Sequence, residues 1–203
     1  MKPALDFFLF YGSLYTYLAV MRIEPMAAAA GLELRWRPFN LREILIEQKN
    51  TGFARNPVRM TYMWRDVERR AARHGIAFKG RVPHPVDPDL LALRVGIVAA
   101  QEGWCAEYTR ATFSAWFLER RVPGLRANVE AVLGGLGKPA AQILERAASA
   151  ATTEALARET EAARAHGTFG SPSFIAAGEL FWGDDRLDEA IEWARRPAAS
   201  GVV

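Results

Sequence analysis

The sequence predicts an α/β fold in which a βαβ unit and a ββα unit are separated by a long helical insertion. Three observations carry this reading. Residues 4–39 hold two strand-like runs on either side of a helical one. From about Asn56 to His166 helical patterns follow one another without a convincing strand. From Ser171 onward the pattern returns to strand, turn, strand and helix.

Each element follows from its residues. "ALDFFLF", residues 4–10, is apolar on both parities, as a central strand covered on both faces requires. After the Gly12-Ser13 break, residues 15–30 place apolar side chains at helical spacing and end near Gly31. "LELRWRPF", residues 32–39, alternates Leu32, Leu34 and Trp36 with Glu33, Arg35 and Arg37, the period-2 mark of a half-buried strand that Pro38 terminates. Helical patterns then run roughly over 58–74, 87–102, 104–120, 126–135, 138–148 and 152–166, punctuated by "HGIAFKGRVPHPVD", "ERRVPGLRAN" and "LGGLGKPA". No fixed period recurs, which excludes a repeat array. "SPSFIAAGELFWG" reads as a strand, a turn at Gly178 and a second strand; "DDRLDEAIEWARR" sets Asp at a helix start and Leu187, Ala190, Ile191 and Ala194 on one face. The expected division is residues 1–55 with 167–203 as one domain and 56–166 as an inserted helical domain.

With 203 residues, half of them apolar, the chain is long enough for one core and one inserted lobe. The net charge of +3 comes mostly from arginines that alternate with acids, as in "RDVERRAARHG". This pattern reads as solvated helix faces, and without aromatic-basic interleaving it argues against nucleic-acid binding. The single cysteine, Cys105, excludes an intramolecular disulfide and a cysteine-based metal cluster. Set in the amphipathic stretch "GWCAEYTRATF", it reads as a buried small hydrophobe in a reducing, cytoplasmic compartment. Tyr11, Gly12, Ser13 and Thr16 interrupt the apolar start, and Arg22 and Glu24 precede the alanines at 27–30, against a secretory signal. No segment holds the about 18 uninterrupted apolar residues of a membrane span.

Ser13 is the candidate reactive position, because it stands where a strand hands over to a helix and backbone N–H groups gather to suit an anion. Simple N-capping is the competing role. A serine attacks only with a base beside it; His74, His84 and His166 all lie in the helical block or its loops, and no Gly-x-Ser-x-Gly elbow occurs. Hydrogen-bond donation to a bound anion is the chemistry that remains open beside capping.

Four stretches, "DFFLFYGSLYTYLA" at 6–19, "NTGFARNPVRMTYMWRDVER" at 50–69, "GTFGSPSFI" at 167–175 and "FWGDDRLDEA" at 181–190, together give the chain a family likeness from residue 4 to about 195. It resembles the branch of the thioredoxin-like fold that holds 2-hydroxychromene-2-carboxylate isomerases and kappa-class glutathione transferases, relatives of the periplasmic disulfide oxidoreductases. In the redox relatives the first strand–helix junction carries a Cys-x-x-Cys pair. Here the stretch has no thiol, so dithiol–disulfide exchange is excluded.

The resemblance implies that the thiol arrives on glutathione and that Ser13 holds its thiolate. It further implies a cis Ser171-Pro172 bond that presents residues 169–171, chiefly the N–H and C=O of Ser171, to the glutathione backbone as an added strand. Asp184 and Asp185 would share helix capping with pairing to the γ-glutamyl ammonium, Asp185 more than Asp184. Asn50 and Arg59, nine apart, match the family's asparagine and lysine on the glycyl side, with Arg59 keeping the charge and changing the geometry. Relatives usually have Pro where this chain has Leu14 and Asp where it has Phe10. Phe39, Tyr62, Trp64 and Trp182 are candidates either for the walls of an aromatic pocket or for core. The implied activity is a glutathione-dependent isomerase of a small aromatic-derived or unsaturated substrate, homodimeric and without a metal. A kappa-like transferase or peroxidase and a non-catalytic binding module are the alternatives.

Overall fold

The computed structural model describes residues 2–50 and 56–196. Residues 51–55, part of the 50–69 stretch quoted above, and the end of the chain beyond residue 196 lie outside the described residues.

The sheet has four strands, β1 (Ala4–Leu9), β2 (Glu33–Pro38), β3 (Ser173–Ala176) and β4 (Glu179–Trp182), in the order β2-β1-β3-β4. β1 runs parallel to β2, pairing Phe7 with Trp36, and antiparallel to β3, pairing Phe7 with Phe174; β3 and β4 form a hairpin. The hairpin turns at Ala177 and Gly178, both with positive φ, where glycine relieves one of two left-handed positions. β1 is central as expected, with Leu5, Phe7, Phe8 and Leu9 fully buried, whereas β2 at the edge keeps Glu33 and Arg35 exposed. Segments near both ends of the sequence therefore make one sheet, and every described residue between Pro38 and Ser173 is helix or loop.

The helices are α1 (Leu14–Val20), α2 (Ile23–Ala29), α3 (Leu41–Glu47), α4 (Pro57–Arg73), α5 (Leu91–Glu102), α6 (Cys105–Glu119), α7 (Arg126–Gly135), α8 (Ala140–Ala147), α9 (Ala150–Ala165) and α10 (Leu187–Ala194), the last preceded by a 3-10 turn, Asp184–Arg186. They depart from the sequence expectation at three places. The single helix over 15–30 is two, because Pro25 lacks an N–H and its ring excludes the carbonyl of Met21, so the chain breaks at Met21–Arg22. α5 begins at Leu91 rather than at residue 87, since Asp87 and Leu90 both take positive φ and the Asp87 carboxylate accepts the N–H groups of Ala92 and Leu93. α3 lies in a stretch to which the sequence reading assigns no element.

Tyr11 ties the sheet to the helical lobe. It is fully buried, its hydroxyl shares a 2.8 Å hydrogen bond with Thr109 on α6, and its ring lies so close to Gly96 on α5 that a Cβ there would stand 2.6 Å from it. Tyr17 of α1 stacks on Phe117 of α6 with ring centroids 3.9 Å apart. Such pairs add about 0.5–1.5 kcal/mol each beyond the area they bury. The residues on both sides of Ser13 are thus fixed by aromatic packing. Among the described residues no helix is long and apolar enough to cross a membrane.

Candidate functional site

The site begins with a tight turn. The N–H of Ser13 donates to the carbonyl of Phe10 at 3.1 Å, and Gly12 has no room for a side chain, because a Cβ would lie 2.6 Å from the Phe10 ring. That turn delivers Ser13 to the N-cap of α1 with extended backbone, and its Oγ accepts the N–H of Thr16 at 3.3 Å. Ser13 therefore does cap, and it does more. Its hydroxyl donates to the carbonyl of Ser171 at 2.6 Å.

Ser171 precedes Pro172 through a cis bond, the geometry the resemblance implies. The Ser171 side chain is held from the other side: its Oγ accepts the N–H of Phe10 at 2.9 Å and shares a 2.8 Å hydrogen bond with the buried hydroxyl of Thr16. Pro172 is fixed in turn, with its carbonyl accepting the N–H of Gly183 at 2.9 Å. Three hydrogen bonds thus join the first turn and α1 to the loop before β3, and a fourth joins that loop to the start of the 3-10 turn. Among the described residues nothing accepts from the N–H of Ser171. The structure leaves that donor beside the Ser13 hydroxyl, with Ser171 as a whole 7% exposed.

Asp184 and Asp185, adjacent in sequence, separate in space. Asp184 is fully buried, with its carboxylate 3.1 Å from Arg70 and 3.5 Å from Arg22, and Arg22 also bonds its carbonyl. Burial pushes its carboxyl up to about 6 against the pull of Arg70 and Arg22. The buried Asp184 carboxylate is closed to a ligand ammonium, and of the pair only Asp185 faces solvent. Asp185 is exposed, 3.5 Å from Arg70, and its Oδ1 would stand 2.4 Å from any Cβ on Gly183, whose φ is +106°. Neither aspartate makes a side-chain cap to the 3-10 turn or to α10.

Asn50 and Arg59 lie on either side of residues 51–55, both exposed. The Asn50 N–H bonds the carbonyl of Leu45 at 2.8 Å, and the Arg59 N–H bonds the Asn56 side chain that caps α4 at 3.0 Å. The aromatic candidates split. Phe39 and Trp64 are core at 0% and 6% exposure, whereas Tyr62 and Trp182 are exposed, Trp182 beside Phe169 with ring centroids 4.8 Å apart.

Four residues enter that sequence reasoning missed. In the sequence Thr16 is only a polar break in the apolar start, and the fold alone shows that its hydroxyl meets Ser171. His84 comes from the "HGIAFKGRVPHPVD" loop: its Nε2 lies 3.0 Å from the Gly12 carbonyl, and its ring stacks near Trp116, whose indole N–H bonds the carbonyl of Pro83 at 2.9 Å. Because a carbonyl only accepts, Nε2 carries the hydrogen, and Nδ1 is left buried without a partner. Burial and Arg42 lower the His84 pKa and the Gly12 contact partly offsets them, so the ring is neutral at pH 7. Tyr15 and Arg70 complete the set. The Tyr15 hydroxyl donates to Asp66 at 3.0 Å, and Arg70 lies over the Tyr15 ring 5.6 Å from its centroid. "RDVERR" is therefore not wholly a solvated face: Asp66 and Arg70 turn inward toward α1 and the 3-10 turn, while Arg65 and Glu68 pair outside.

Cys105 is buried, which pushes its thiol up to about 12. The chain has no other sulfhydryl. Any thiolate chemistry at Ser13 needs a thiol from outside.

Comparison with known proteins agrees with this architecture. The model of the DSBA-like thioredoxin domain matches residues 4–192. The 2-hydroxychromene-2-carboxylate isomerase of Pseudomonas putida is 28% identical over 185 residues, covering 90% of this chain and 89% of the relative. The protein of the same name from Sphingobium xenophagum is 27% identical over 194 residues, 93% of this chain and 96% of the relative. Among solved structures, that of a selenomethionine 2-hydroxychromene-2-carboxylate isomerase superposes with a TM-score of 0.82 at 26% identity, covering 92% of this chain and 91% of the other.

Proposed function

The chain belongs to the DSBA-like thioredoxin domain family, and on that premise we propose that it is a glutathione-dependent isomerase of the 2-hydroxychromene-2-carboxylate type. The observation that carries the reading is the Ser13 hydroxyl, 2.6 Å from the carbonyl that precedes a cis proline, at the turn where disulfide-exchanging relatives keep their thiols. The isomerases of the same family, similar over nine-tenths of this chain, support the reaction class.

The residues fit a peptide-like thiol. Ser171 offers a main-chain N–H with no acceptor among the described residues, and a carbonyl facing the same Ser13 hydroxyl, the two groups an added extended strand uses. Asp185 is exposed beside Arg70, and the resemblance assigns the exposed Asn50 and Arg59, on either side of residues 51–55, to the glycyl carboxylate. When bound, glutathione would supply a thiolate for reversible conjugate addition, which turns a double bond into a single bond free to rotate before the thiolate is expelled and the double bond re-forms.

The chain's own part is to hold that anion. A free thiol with pKa near 8.5 is about 3% ionised at pH 7, and lowering it by about 2 needs about 2.7 kcal/mol of preferential interaction with the charged form. One hydrogen bond to a charged group supplies about 1.5–3 kcal/mol, so the Ser13 hydroxyl together with the N-terminal end of α1 is of the required size. The same reading makes the enzyme a cytoplasmic homodimer acting on a small, ring-opened aromatic catabolite.

The test is interconversion of 2-hydroxychromene-2-carboxylate and its ring-opened isomer with and without glutathione. The expected result is turnover that requires glutathione and leaves its concentration unchanged. Glutathione depletion with a chlorodinitrobenzene would assign a transferase instead, and no binding at millimolar glutathione in calorimetry would assign a non-catalytic module.

A further inference from the structure

We propose that Ser13 and the Ser171 carbonyl form a hydrogen-bond exchange that makes stabilisation of a bound sulfur anion conditional on a peptide N–H in the ligand; the proposal rests on the glutathione reading above.

The argument starts from the count of hydrogens. A serine hydroxyl has one, and that of Ser13 is committed to the Ser171 carbonyl at 2.6 Å. One Ser13 lone pair is already taken by the Thr16 N–H at 3.3 Å. To donate to a sulfur anion, Ser13 must turn its hydrogen away from Ser171. The carbonyl does not follow: the Ser171 side chain is pinned by Phe10 at 2.9 Å and Thr16 at 2.8 Å, and the next residue by Gly183 at 2.9 Å. A ligand lying along the loop covers Ser171, itself only 7% exposed, and so keeps water from replacing the lost donor.

A deserted buried acceptor lowers an equilibrium by about 5- to 150-fold. A ligand whose own N–H reaches the carbonyl removes that penalty. The ligand N–H then replaces the hydroxyl at Ser171, the freed hydroxyl turns to the sulfur, and the thiol proton goes to bulk water. Simple thiols without an amide N–H beside the sulfur-bearing residue leave Ser13 on the carbonyl and stay protonated. The site thereby selects peptide thiols over small thiols by hydrogen-bond accounting as well as by shape.

The experiment compares glutathione with an isosteric analogue in which the γ-glutamyl–cysteine amide is an ester, so that oxygen replaces the N–H. Ionisation of the bound thiol is followed by ultraviolet thiolate absorbance against pH, relative to each free ligand, with calorimetry for affinity, on the wild type and on Ser13→Ala. On the wild type, glutathione should ionise at clearly lower pH than when free. The ester should show little such change and bind about 5- to 150-fold more weakly. On Ser13→Ala the two bound thiols should ionise alike. If the ester ionises on the wild type as readily as glutathione, the exchange is wrong while the glutathione reading stands. If glutathione itself does not bind the wild type, the reading fails and the exchange fails with it.

Discussion

The hydroxyl of Ser13 donates to the carbonyl of Ser171 across 2.6 Å, joining the first β-to-α turn to the loop that leads into β3. Ser13 also caps α1, so Ser13→Ala has a structural and a chemical consequence. Loss of the cap costs about 1 kcal/mol and the deserted Ser171 carbonyl about 1–3 kcal/mol, and each kcal/mol lowers the melting temperature of a chain this size by about 2–4 °C. Loss of the donor to the anion should reduce turnover by about 100- to 1,000-fold, the effect of removing one oxyanion-type donor. Steady-state rates and thermal unfolding on the same preparation separate the two. A variant that keeps wild-type turnover would remove Ser13 from the chemistry.

Behind Ser13, the Ser171 and Thr16 hydroxyls are bonded to each other, and Ser171 also accepts the buried Phe10 N–H. Ser171→Ala leaves that N–H without an acceptor and should cost about 1–3 kcal/mol. Thr16→Val keeps the shape and leaves Phe10 satisfied, so it should cost about 1 kcal/mol or less. Urea unfolding midpoints give the order directly. Equal losses would mean that the Thr16 hydroxyl, not the Phe10 contact, anchors the loop.

The local chemistry of this site was legible where one residue decides it. Gly12-Ser13 after an apolar strand marks a turn and a cap, and Ser171-Pro172 before a strand marks the loop facing it. What the sequence hid are partnerships across long separations. Nothing near His84 shows that its ring meets Gly12, 72 residues away. Asp66 and Arg70 read as one more solvated i,i+4 pair, and only the packing of α4 against α1 turns them toward Tyr15 and Asp184. Asp184 and Asp185 are identical letters, and one residue of helical rotation sends the first into the interior and the second to the surface. The break in the first helix was written in Pro25, and helical spacing over 15–30 concealed it.

His84 should behave as a neutral donor that fixes the Gly12 peptide. Its pKa is lowered by burial, so the unfolded chain takes up a proton before the folded one, and the contribution of His84 to stability is present above about 6.5 and lost as pH falls. His84→Gln retains an N–H at similar reach and does not titrate. It should hold the site at neutral pH and lose less stability than the wild type on acidification below about 6.5. His84→Phe removes the donor and should lose stability at every pH. Unfolding free energies of the three proteins across this range decide it, and identical acid profiles for wild type and His84→Gln would refute the assignment.

Asp184 carries the opposite pH dependence. Its carboxylate has Arg70 at 3.1 Å and Arg22 at 3.5 Å, and ion pairing alone would hold it ionised; full burial opposes this, and pushes it from 3.8 up to about 6. Over that interval the folded protein keeps a proton the unfolded chain has released. The Asp184 contribution is therefore complete below about 3.8 and is lost as pH rises through about 6. A shift of that size corresponds to about 3 kcal/mol. Asp184→Asn does not titrate, so the wild type should gain on the variant by an amount of that order as pH is lowered from about 7 to about 4. Were the two arginines to outweigh burial, the difference would run the other way, with the wild type gaining on the variant as pH rises. Denaturant unfolding of both proteins at the two ends of the range gives the sign, and with it whether desolvation or charge pairing governs the joint between α1, α4 and the 3-10 turn.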